Sequence, residues 1–96
     1  MYKPTKERIA ELKAEHGEIF MISVEDKAAI FKAPNRKTLS YANNAKQDIV
    51  KFNETILNAC YVEGDRELLD NDKYFLAAGA KAIELIEIKE AEIVKL

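Results

Sequence analysis

Ninety-six residues with 48% hydrophobic and 33% charged side chains and a net charge of −2 describe one small domain with a single core. One cysteine excludes an internal disulfide framework and fits a reducing compartment. No run approaches 18 apolar residues, so no membrane span is expected, and the opening MYKPTKERIAELK is too charged for a signal peptide.

The N-terminal stretch predicts a helix over about 5–16, capped by Thr5 and stopped by Gly17. Its few large apolar residues, Ile9 and Leu12, suit a helix lying on the surface of the domain. A hairpin is expected over about 18–33. Residues 18–24, EIFMISV, alternate as a strand with Phe20, Ile22 and Val24 on one face and Ile19, Met21 and Ser23 on the other. Both faces are apolar, so either helices cover both or one meets another subunit. Val24-Glu25-Asp26-Lys27 is the expected turn, although it lacks an Asn-Gly or Asp-Gly pair. Residues 28–33, AAIFKA, return as the second strand, and Pro34 ends it because it has no N–H to donate.

The helical part is expected over about 35–96. Asn35 caps a helix of roughly 36–44, and a break follows at Ala45 to Gln47. Asp48 then opens the most amphipathic stretch, with Ile49, Phe52, Ile56 and Cys60 on one face, Leu57 and Tyr61 beside them, and Gly64 as its end. A last helix is expected from Asp70 or Asn71 to residue 96. Leu76, Ile83, Ile86 and Ile93 form its apolar face, and Gly79 marks close approach of another element. The predicted class is α+β and mostly helical, one β-hairpin packed with about four helices in the order α-β-β-α-α-α.

The charge is uneven. Residues 27–47 hold Lys27, Lys32, Arg36, Lys37 and Lys46 with no acid, net +5, while residues 1–26 carry −2 and residues 48–96 carry −5. This gives an electropositive region on an acidic molecule, open to attraction within the chain or to a partner.

Catalytic chemistry finds little footing. One His and one Cys, His16 and Cys60, cannot build a thiolate or imidazole metal site, and the acids Glu63, Asp65, Glu67, Asp70 and Asp72 lack the spacing of a calcium loop. No nucleophile sits in a recognisable motif, and the three glycines are isolated, so no phosphate-cradling loop exists. The expectation is a protein that is not an enzyme and takes no cofactor. Nucleic-acid binding through 27–47 is the alternative: Lys32, Arg36, Lys37 and Lys46 could meet phosphates and Tyr41 could stack on a base. The acidic whole weighs against it. The C-terminal EAEIVKL offers Ile93, Val94 and Leu96 to a partner helix.

The stretch EDKAAIFKAPNRKTLSYA, followed by DIVKFNETILNACYVEGD, resembles small tail-assembly chaperones of tailed phages and prophages. The matching positions are Phe31, Lys32, Pro34, Arg36, Lys37, Ile56, Leu57 and Cys60. The resemblance covers about residues 17–65. It implies a non-enzymatic, protein-binding role as a tail-assembly chaperone or accessory structural protein in a host cell cytoplasm. Tail tape-measure or tube proteins would be the partners, and a second copy of the chain is a further candidate. The expected contact residues are Met21, Lys32, Arg36, Lys37, Tyr41, Ile93 and Leu96.

Overall fold

The computed structural model describes residues 1–45, 47–85 and 91–96; the expectations for Lys46 and Ile86 lie outside these residues. Four helix starts follow from side-chain caps, the last at Asn71, whose side chain accepts the Lys73 N–H at 3.0 Å. Helix α1 (Lys6–His16) begins at Thr5, whose hydroxyl accepts the Arg8 N–H at 3.1 Å, and ends at Gly17 with φ 78°. Helix α2 (Arg36–Ala42) begins at Asn35, whose side chain accepts the Thr38 N–H at 2.8 Å; a short 3₁₀ turn, Asn43–Ala45, follows. Helix α3 (Ile49–Cys60) begins at Asp48, which accepts the Lys51 N–H at 3.1 Å.

Strands β1 (Ile19–Val24) and β2 (Lys27–Lys32) form the expected antiparallel hairpin, in register from Ile19 opposite Lys32 to Val24 opposite Lys27. Its two-residue turn is built on Glu25 at φ 54°, left-handed backbone that usually selects Gly or Asn. The sequence places Tyr61 to Gly64 in the preceding helix. Instead that helix stops at Cys60, and Tyr61–Gly64 forms a third strand, β3, antiparallel to β2. The sheet order is β1-β2-β3, with β2 in the centre. Tyr61 faces Phe31 and Glu63 faces Ile30, so Val62 is the extra residue of a β-bulge.

Gly64 sits at φ 129° opposite Ala29, and a Cβ there would come within 2.5 Å of the Ala29 Cα. The Asp65 N–H then donates to the Ala28 carbonyl at 2.8 Å, and the Asp65 carboxylate accepts the Ala28 N–H at 2.9 Å. A side chain thus continues the ladder one step past the strand.

The C-terminal half departs further from a single long helix. Helices α4 (Glu67–Asp70) and α5 (Asp72–Gly79) are short, a 3₁₀ turn follows at Ala82–Leu85, and residues 91–96 are not helical. The buried face is Phe75, Ala78, Ala82 and Leu85, not Leu76 and Ile83, which are exposed. Close packing decides the phase. Gly79 is buried against Asn53 of α3, where an added Cβ would lie 3.4 Å from the Asn53 side-chain nitrogen. Ala78, Gly79 and Ala82 therefore face inward. Ile49, expected on the apolar face of α3, is exposed in its first turn; Ile56, Leu57 and Cys60 are buried.

The architecture is mostly helical α+β in three layers. On one face of the sheet Phe20, Ile22, Ala29, Phe31 and Tyr61 pack with the helical residues Ala42, Ile56, Leu57, Leu68, Phe75 and Leu85. On the other, α1 covers Ala28 and Ile30, with Leu12 buried beneath it. The Phe20, Ile22 and Val24 face of β1 thus packs on this chain's own helices, while on the other face Ile19 is half-buried and Met21, 47% exposed, and Ser23 stay open. Among the described residues no helix is long and apolar enough to cross a membrane.

Candidate interaction surface

Four of the five acids that resemble a calcium loop in composition are occupied by the fold. Glu63 on β3 accepts from Arg8 of α1 at 2.6 Å and 3.0 Å and from the Tyr2 hydroxyl. These bonds hold its carboxyl below the usual range, and partial burial beside Glu63 pushes the Tyr2 phenol up to about 12. Asp65 is held low by the N–H groups of Ala28 and Tyr2. Lys27 lies 3.3 Å from Glu67, which raises the lysine, and Arg66 lies 3.6 Å from Asp70. Together these contacts tie the N-terminal segment and α1 to the β3 end of the sheet. Among the described residues no group of three or more His, Cys, Asp or Glu side chains could hold a metal. Cys60 is buried, and burial pushes its thiol up, away from the reactive thiolate.

The seven contact residues expected from sequence fall into separate places. Arg36, Lys37 and Tyr41 come together on α2, where one turn of helix sets Lys37 beside Tyr41. With Ser40 and Asn44 they line a shallow depression, and Tyr41 is 70% exposed. None of the ion pairs among the described residues involves Arg36 or Lys37. Lys32 ends β2, half-buried, close enough to Cys60 for its charge to act on the thiol. Met21 belongs to a different surface. Ile93 and Leu96, expected on a helix, stand exposed in irregular chain.

The Met21 surface includes residues that the sequence does not single out. A groove of about 460 Å³ runs beside β1, lined by Phe20, Met21, Ile22 and Ser23 and, across it, by Lys81, Glu84 and Leu85. Four consecutive strand residues line it, which marks it as running along the strand's outer edge. Among the described residues β1 pairs only with β2, so every second residue turns its backbone N–H and C=O away from the sheet. Edge strands are commonly protected by a charge, a proline or a bulge. IFMISV has no charge and no proline, and its register with β2 is unbroken.

Compared with family models, with curated proteins and with solved structures, the chain matches none.

Proposed function

We propose that the protein is a non-enzymatic binding module that holds an extended segment of another polypeptide along β1, in the manner of a phage or prophage tail-assembly chaperone. The observation that carries this reading is the outer edge of β1: six uncharged residues, unpaired on one side among the described residues, beside a groove lined by Phe20, Met21, Ile22 and Leu85 and by the charged Lys81 and Glu84. An added strand would gain main-chain hydrogen bonds from the edge and side-chain contacts from Phe20, Ile22 and Leu85. The resemblance over residues 17–65 supplies the class of partner, tail tape-measure or tube polypeptides. A host cell cytoplasm is the expected setting.

A second reading rests on the α2 depression, where Arg36 and Lys37 stand beside exposed Tyr41: a small accessory protein of single-stranded nucleic acid. Salt separates the two. Co-expressed tape-measure or tube polypeptide should stay bound as salt rises from about 50 mM to 200 mM, whereas phosphate contacts weaken steeply over that range. Met21→Lys should abolish capture, and Arg36→Glu/Lys37→Glu should leave it intact. Capture lost with salt, or lost only in the Arg36/Lys37 variant, would move the function to α2.

A further inference from the structure

Residues 91–96, AEIVKL, carry three large apolar side chains into solvent. Ile93 is 99% exposed, and Val94 and Leu96 are exposed with it. The chain is also extended for its length. Its radius of gyration is 14.9 Å and its longest axis 54 Å, where a compact domain of this size would have a radius of about 12.5 Å. One molecule therefore bears both an unpaired apolar edge and an unburied apolar segment.

We propose that residues 91–96 of one copy add as a strand to the outer edge of β1 in a second copy, reciprocally, in a two-fold dimer. This rests on the reading of β1 as a docking edge and names its occupant. The segment equals β1 in length, six residues each, and Ile and Val favour strands. Alternation puts Val94 and Leu96 on one face and Ile93 on the other. The first pair then meets the Phe20, Ile22 and Leu85 side of the groove, and Ile93 lies beside Met21. Glu92 shares the face of Val94 and Leu96, so it comes to the side where Lys81 is paired with Glu84 at 3.2 Å, and it would share that cation. The occupant is a second copy because Ile93 and Leu96 bury nothing against their own chain. Reciprocal exchange closes the assembly at two copies and covers both edges until a tail polypeptide displaces the segment.

Light scattering on the full chain gives the test. The wild type should be a dimer, and Met21→Lys alone and Ile93→Glu/Leu96→Glu alone should each be folded monomers by circular dichroism. Mixed in equal amounts, the two variants should regain a dimer. The first keeps its strand to donate and the second keeps its edge to accept, so one junction forms. Variants that stay dimeric, or a mixture that stays monomeric, would overturn the proposal. So would a monomeric wild type, including one whose amides at 91–96 are protected by pairing with its own β1. A monomeric wild type that still captures tail polypeptide through Met21 would leave the chaperone reading standing. A dimer as described that captures none would remove that reading and keep the self-pairing.

Discussion

Gly64 and Glu25 show how much of this fold turns on single backbone conformations. At Gly64 a side chain meets two obstacles at once, the φ of 129° and the Ala29 backbone 2.5 Å from where its Cβ would be. Backbone yields far less readily than the end of a side chain. Gly64→Ala is expected to cost about 3 kcal/mol or more, read as a lowered denaturation midpoint with the sheet loosened first. Glu25 is the opposite case, a residue with a Cβ where glycine would sit more easily. Glu25→Gly should stabilise the protein by about 1 kcal/mol, which for a domain this size raises Tm by about 4–8 °C. Thr5, Asn35 and Asp48 were legible as caps because a cap is a side chain bonding to backbone two or three residues away. The left-handed turn at Glu25 was legible only in position, since nothing in Glu-Asp announces positive φ.

At the scale of elements, β3 carries the clearest lesson. Phe52, Ile56 and Cys60 continue to Gly64 with helical spacing, and no breaker stands at Tyr61. What ends the helix is distant: the open side of β2, offering Ala29, Ile30 and Phe31 as pairing partners. Local sequence cannot report a competitor thirty residues away. The long terminal helix fails for a related reason, because the phase of α5 is set by what fits against Asn53, and Gly79 fits better than Leu76.

The attachment of β3 also sets a pH response. Glu63 and Asp65 are both held below their ordinary values in the fold, so the unfolded chain binds protons more readily than the folded one. Their contribution is complete above the ordinary carboxylate range and is lost as pH falls through the depressed values. Thermal stability should therefore drop as pH falls below about 4, with the Ala28 amide exchanging early. Asp65→Asn should lower Tm at neutral pH and flatten that drop.

Over the whole molecule, the three layers meet at β2. Phe31 is fully buried at their centre, edge-on to Tyr61 with ring centroids 5.9 Å apart. Phe31→Ala should cost about 3–5 kcal/mol, a large share of the roughly 5–15 kcal/mol available to a domain, and guanidinium unfolding would measure it. The surfaces were legible to different depths. Arg36 and Lys37 could be found from the local charge, but the same stretch offers Tyr41 for packing beside Leu39 and Ala42, and Tyr41 is 70% exposed. The β1 groove could not be found locally, because Lys81, Glu84 and Leu85 come to it only through the packing of the C-terminal half.

The central strand is joined to its neighbours by two very different lengths of chain. Two residues separate β1 from β2, while 28 separate β2 from β3. Closing the longer loop costs about 2 kcal/mol more entropy than closing the shorter one. The hairpin can therefore form within microseconds, and β3 must wait until α2 and α3 have brought its ends together. For that interval β2 has an open edge of its own. The nascent protein thus passes through a stage with two bare strand margins, of which the pairing of β3 closes one.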